Sequence, residues 1–178
     1  GIYSFLFQKE ILDLCNKRIK KKHILIAFGG EDPKNLILKY FHYFAKINYK
    51  KVFITNKKTF ELIKKFRNSK NIIIQKKKPK EKFLKLLHES KFYISTPSNI
   101  MFEAWSLGVP GIVIPTQNRQ IEMGRAFKKL NIINLLPFYR KLSTKDLKKI
   151  KLKFSNFKKK FNKKKAIRVQ KTIKNFVN

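Results

Sequence analysis

Short apolar runs alternate with helix-periodic segments along almost the whole chain. The runs are rich in Ile, Val and Phe, which is typical of β-strands, and the segments between them place apolar residues at helical spacing. The predicted strands cover residues 23–28, 52–55, 72–74, 91–95, 111–115 and 132–136, and the main predicted helices cover 34–47, 59–66, 82–90 and 121–130. Strands joined by such short connections cross over right-handedly and lie parallel. The sequence therefore predicts a Rossmann-like, three-layer α/β domain with a parallel sheet of about six strands.

The length of 178 residues fits one domain or one half of a two-domain protein. We interpret residues 1–22 as a lead-in that crosses from another domain or covers a sheet edge. Residues 23–178 then form the Rossmann-like domain, and the part after residue 144 is predicted to be mostly helical and very basic.

The chain carries 44 Lys and Arg residues against 10 Asp and Glu residues, a formal net charge of +34. One interpretation is a polyanionic partner, either nucleic acid or an anionic membrane surface. The other is compositional bias, because the basic residues are mostly Lys and are spread along the whole chain. Both interpretations predict weak nonspecific binding of polyanions at low salt.

Cysteine and histidine are too few and too scattered for a structural zinc site. Cys15 is the single cysteine, and the three histidines are His23, His42 and His88. We therefore predict no metal and assign no cofactor, and we expect a reducing, cytoplasmic setting. No run approaches the roughly 20 apolar residues that span a bilayer.

The first candidate site is the Gly29-Gly30 pair, which follows the first predicted strand. Glycines permit a positive φ and a close approach of the backbone, and a helix N-terminus offers free N–H groups to an anion. Asp32 before Pro33 predicts a helix N-cap with proline at the first helical position, and Asp32 is also a candidate binding residue. The alternative is a plain tight turn without a ligand.

The second candidate site lies between the fourth and fifth predicted strands. Ser98 and Asn99 present hydroxyl and amide groups at the start of a short helix, and Glu103 falls about one turn into it. A carboxylate accepts hydrogen bonds from two neighbouring hydroxyls at once, as when proteins bind a ribose. Gly108-x-Pro110 then ends the helix. The alternative is a solvated helix glutamate.

The third candidate site is the segment 117–120, just past the fifth predicted strand. The side-chain amides of Asn118 and Gln120 reach sugar hydroxyls from there, or Asn118 merely caps the next helix. All three sites follow strands of one parallel sheet, so we expect them to share one crevice at its carboxyl edge.

The sequence resembles a known family. Residues 24–36, a strand followed by Gly-Gly-x-Asp-Pro and a helix, resemble the nucleotide-sugar hydrolase of pseudaminic acid biosynthesis. That enzyme is a relative of the peptidoglycan GlcNAc transferase and has the GT-B fold. Glu103-x4-Gly108-x-Pro110 resembles the glutamate–Gly–Pro segment of GT-B glycosyltransferases, and Gln120 the glutamine of the family's Asn-Gln pair. Residues 1–6 and 165–169 resemble the lead-in and the closing helix of the family's C-terminal domain.

The resemblance implies a UDP-sugar as the ligand. It implies that Glu103 binds the ribose hydroxyls and that Gln120 contacts the sugar. The residues that face the phosphates would be Gly29, Gly30, Ser98 and Asn99. The family's catalytic histidine lies in its N-terminal half, so a matching half, on the same chain or a separate subunit, is an expected partner and no catalytic residue is assigned. The chain departs from the family at Thr96-Pro97-Ser98, where a Gly-rich loop is usual, and at Arg119, where the pair's Asn is expected.

The sequence therefore favours the UDP-sugar-binding domain of a hydrolase in surface-glycan biosynthesis. A GT-B glycosyltransferase domain that binds the same donor is one alternative. A basic, non-enzymatic module for nucleic acid or membrane is another, and a donor-binding subunit that pairs with a separate catalytic chain is a third.

Overall fold

A computed structural model describes residues 9–15, 17, 19–29, 32–67, 69, 71–148 and 150. The six strands are β1 (His23–Ile26), β2 (Lys51–Thr55), β3 (Ile72–Lys76), β4 (Ser90–Ser95), β5 (Gly111–Val113) and β6 (Ile133–Leu135). The helices are α1 (Lys9–Cys15), α2 (Leu36–Ala45), α3 (Lys57–Ile63), α4 (Lys80–His88), α5 (Asn99–Ser106), α6 (Asn118–Lys129) and α7 (Thr144–Lys148), with 3₁₀ turns at Lys64–Phe66 and Tyr139–Lys141.

The strands form one parallel sheet in the order β3-β2-β1-β4-β5-β6. The chain first winds outward from β1 to β3, and then returns past β1 to add β4, β5 and β6 on the other side. This is the order of a doubly wound Rossmann sheet. The predicted fold class is confirmed.

The core lies on both faces of the sheet. In β1, Ile24 and Ile26 pack toward α2, whereas Leu25 packs toward α1, α4 and α5. Successive side chains of a strand point to opposite faces, so a strand covered on both faces must be apolar at every position. This is why β1 is a continuous apolar run rather than an alternating pattern.

Several helices begin earlier than predicted, because their first turns are polar and carry no apolar period. α3 begins at Lys57, α4 at Lys80 and α6 at Asn118. Each of these three residues is exposed. α2 differs in the opposite direction, since it begins only at Leu36. The prediction that Asp32 is its N-cap and Pro33 its first residue is therefore wrong.

Part of the lead-in belongs to the helical layer that covers the sheet. Ile11 and Leu14 of α1 are buried against α4 and α5. Residues 1–8, Gly30 and the predicted basic helical region from 151 onwards lie outside the described residues. Among the helices that the structure describes, none is long and apolar enough to cross a membrane.

Candidate functional site

The strand order reverses between β1 and β4, which are adjacent in the sheet although two strands separate them in sequence. The loops that leave their carboxyl ends therefore turn to opposite faces of the sheet and leave a crevice between them. Both the Gly29 turn and the 96–98 loop leave from this point.

A cavity of about 500 Å³ opens at this crevice, on the face covered by α4 and α5. It is lined by Ala27, Gly29, Ile54, Lys77, Lys78, Lys80, Phe83, Ser98, Asn99, Ile100 and Glu103. Its walls combine apolar side chains, three cations and one carboxylate, which is the mixture expected of a small-molecule site.

Glu103 is the carboxylate of this cavity and is only 8% exposed. It belongs to α5, whose short apolar face is anchored by Met101 and Ala104. Among the described residues, its carboxylate makes no hydrogen bond and has no cation within 4.0 Å. Burial raises the pKa of Glu103, and the charge of Lys80 opposes that shift. Glu103 is therefore a largely buried carboxylate that borders the cavity and has no hydrogen-bond donor among the described residues.

The N-terminus of α5 opens into the same cavity. Ser98 precedes the helix in an extended conformation and makes no side-chain cap, and its hydroxyl instead donates to the carbonyl of Thr96 at 3.3 Å. The backbone N–H groups of Asn99 and Ile100 have no acceptor within the helix, and they carry the positive end of its dipole. Gly29 faces them from the β1 turn with a φ of +79°, which favours glycine.

Three lysines of the cavity were not anticipated from the sequence. Lys77 and Lys78 follow β3, and Lys80 opens α4. Within the part of the chain that the structure describes, none of the three has an acidic partner within 4.0 Å. The sequence shows these lysines soon after the third predicted strand. Because lysines are spread along the whole chain, that position alone did not distinguish them from the others.

A second, smaller cavity of about 150 Å³ lies between the loop that leads into α2 and the start of α6. Asp32 lines it and is 2% exposed. Its Oδ1 accepts a hydrogen bond from the N–H of Leu36 and its Oδ2 one from the N–H of Ile37, each at 2.9 Å. Burial raises the pKa of Asp32 and these two bonds oppose the shift. Asp32 thus caps α2 from four residues upstream.

Gln120 lines the second cavity with its amide orientation fixed. Its Oε1 accepts hydrogen bonds from the backbone N–H of Thr116 at 2.7 Å and from the Thr116 hydroxyl at 3.0 Å. The amide nitrogen is therefore the group left to donate to a ligand. Asn118 is exposed and lines neither cavity. The alternative role considered for Asn118 is wrong, because Gln117 is the N-cap of α6 and Asn118 is its first residue.

The structure thus divides the sequence-predicted residues between two cavities rather than placing them in one crevice. Gly29, Ser98, Asn99 and Glu103 share the larger cavity. Asp32 and Gln120 share the smaller one. Both cavities lie at the carboxyl edge of the sheet, on either side of the β1–β4 junction.

Comparison with known proteins finds no matching family model. An uncharacterized protein of Methanocaldococcus jannaschii is 32% identical over 142 residues, which cover 73% of this chain and 28% of that protein. The chain therefore spans little more than a quarter of the length of this relative.

Solved structures share the fold. MurG of Acinetobacter baumannii matches with a TM-score of 0.66 at 15% identity, over 94% of this chain and 50% of that protein. Os79 of O. sativa, solved in complex with UDP, matches with a TM-score of 0.67 at 13% identity, over 92% of this chain and 38% of that protein. The structural neighbours are GT-B glycosyltransferases and related enzymes, and the fold of this chain is that of a GT-B C-terminal domain.

Proposed function

We propose that this chain is the donor-binding domain of a GT-B enzyme and that it binds a UDP-sugar. The observation that carries the proposal is the buried carboxylate of Glu103, which lines the larger cavity and receives no hydrogen bond from the residues that the structure describes. The cost of burying an acceptor is recovered when a ligand supplies the hydrogen bonds. Two neighbouring ribose hydroxyls are such donors, and one carboxylate accepts both.

The start of α5 and the Gly29 turn, which border the same cavity, suit the diphosphate. Asn99 and Ile100 offer N–H groups at the start of α5, and the Gly29 turn permits close approach of the backbone. Such a preorganised positive field stabilises a leaving diphosphate during transfer of the sugar. The complex of Os79 with UDP supports the same class of ligand by analogy of fold.

The smaller cavity is the proposed place of the sugar. Gln120 presents its amide nitrogen there, and Lys34 lies beside it. In this arrangement Asp32 has a supporting role, because its two carboxylate oxygens fix the start of α2.

Two reactions are compatible with such a donor site. Hydrolysis, which the Gly-Gly-x-Asp-Pro resemblance favours, passes the sugar to water, and glycosyl transfer passes it to an acceptor hydroxyl. The fold comparisons support the transferase at least as well as the hydrolase. In both cases the proposal places the catalytic base and the acceptor site on a second, N-terminal half. Pairing the domain with that half and measuring UDP release with and without acceptors distinguishes the two reactions.

Calorimetric titration with UDP at about 150 mM salt, where surface electrostatics are screened, tests the proposal. We expect the unmodified chain to bind UDP and E103Q, which keeps the shape but loses the charge, to bind at least tenfold more weakly, or about 1.4 kcal/mol. E81Q is the matched control, because Glu81 also lies on a neighbouring helix but is exposed and outside the cavity.

Failure of both the unmodified chain and E103Q to bind UDP would overturn the proposal. Tight, salt-sensitive binding of RNA or anionic vesicles by the same samples would then favour the basic binding module.

A further inference from the structure

Lys80 and Glu103 belong to neighbouring helices and line the same cavity. Lys80 is the first residue of α4, and Glu103 lies one turn into α5. Among the described residues, neither has an ion-pair partner within 4.0 Å. The two opposite charges therefore face a common space without closing into a salt bridge.

We propose that Lys80 is a positioning residue that keeps the Glu103 carboxylate ionised and directed into the cavity, where the ligand hydroxyls bind. This inference rests on the proposed function of the same site. An ionised carboxylate accepts hydrogen bonds from two hydroxyls, whereas in a protonated carboxyl group one oxygen carries the proton and acts as a donor. A cation near the carboxylate but not bonded to it favours the ionised form and leaves both oxygens for the ligand.

The surroundings of Glu103 support this role. Burial, the larger effect, raises the pKa of its carboxyl group, and Lys80 is the charge that opposes it. Lys77 and Lys78 are the other titratable side chains that line the cavity.

Two other helices pack against α5, and their described charged side chains lie outside the cavity. On α6, which contacts α5 through Phe127, the charged residues are exposed and do not line the cavity: Arg119, Glu122, Arg125, Lys128 and Lys129. α1 packs against both α4 and α5, and its two acidic residues, Glu10 and Asp13, are exposed. Cys15 of α1 faces α5 and donates to the carbonyl of Ser106. The charge of Lys80 is therefore the one to remove in a test.

Lys82 offers a matched control for Lys80. It lies on the same helix, carries the same charge and is exposed like Lys80, but it does not line the cavity and instead borders a neighbouring groove with Lys85 and Glu89. K82Q thus reports the effect of a changed net charge without changing the cavity. K80R keeps the charge and tests rescue.

The experiment measures UDP affinity from about pH 5 to about pH 8 for the unmodified chain, K80Q, K80R, K82Q, E103Q and the double variant K80Q/E103Q. We expect K80Q to weaken binding about threefold to tenfold near neutral pH. We also expect K80Q to lose affinity at a higher pH than the unmodified chain, because the carboxyl group then takes up a proton more readily. K80R and K82Q are expected to follow the unmodified chain. Titration of the UDP phosphate is common to all variants and cancels in the comparison.

The double variant separates positioning from direct contact. If Lys80 acts through Glu103, K80Q has little further effect in the E103Q background. An equal loss in both backgrounds, or an unchanged pH dependence in K80Q, would overturn the inference while leaving the donor site intact. Absence of UDP binding by the unmodified chain would overturn the proposed function itself.

Discussion

His88 makes the stability of the domain depend on pH. It is the last residue of α4 and is 7% exposed, and its Nδ1 has no hydrogen-bond partner among the described residues. Burial, with a smaller contribution from the charge of Lys21, lowers the pKa of His88 from 6.5 to about 4, and Glu89 opposes the shift. The folded state therefore holds His88 neutral across a range in which the unfolded chain protonates it.

The sign and size of the effect follow from proton linkage. Stability from the neutral ring is present above the unfolded pKa of 6.5 and is lost as the pH falls toward the folded value of about 4. Between about pH 8 and about pH 5 these two values give a loss of about 2 kcal/mol. Solvent screening near Lys21 reduces the expected loss to about 1 to 2 kcal/mol.

Denaturant unfolding of the unmodified chain, H88Q and H42Q at both pH values measures this loss. His42 is exposed on α2 and serves as the control. We expect H88Q to lose about 1 to 2 kcal/mol less than the other two on acidification. The pKa of His23 is also lowered by burial, but His23 is present in all three chains, so its contribution cancels. An equal loss of unfolding free energy in H88Q and the unmodified chain would show that His88 does not cause the pH dependence.

Four further substitutions probe the packing and the second cavity. Gly111→Ala should destabilise the fold by about 1 to 3 kcal/mol, because the added Cβ would lie 2.1 Å from the Tyr93 ring. Tyr93→Phe should leave stability unchanged or higher, since the buried Tyr93 hydroxyl has no hydrogen-bond partner among the described residues. Denaturant unfolding measures both. Asp32→Ala should cost about 1 to 3 kcal/mol in the same assay, because it leaves two N–H groups of α2 without their acceptors; no loss would contradict the capping role. Gln120→Glu keeps an acceptor for Thr116 but removes the amide donors. Calorimetry should therefore show weaker binding of UDP-sugars and unchanged binding of UDP. Equal effects on both ligands would contradict the placement of the sugar in the smaller cavity.

The fold could be predicted from the sequence because its main signal is local. Each strand buried on both faces is an unbroken apolar run, and each helix between strands repeats apolar residues at its own period. The starts of the helices were harder to place, since the first turns at Lys57, Lys80 and Asn118 are polar and exposed. Glu103 was identified because acidic residues are rare in this chain and this one follows a predicted strand.

The arrangement of the site depends on contacts between distant parts of the chain. Lys80 and Glu103 line one cavity only because the start of α4 and the start of α5 come together at the carboxyl edge of the sheet. Asp32 and Gln120 were predicted to share the crevice with Glu103, but they line a separate, smaller cavity. Local spacing predicts which residues follow a strand, but it does not predict which cavity each loop lines.

A crystal structure of the chain with UDP would show directly whether Glu103 binds the ribose. We expect both ribose hydroxyls within hydrogen-bond distance of the Glu103 carboxylate, and the diphosphate between the Gly29 turn and the start of α5. UDP bound at another surface, or bound in the cavity with its ribose away from Glu103, would contradict this expectation.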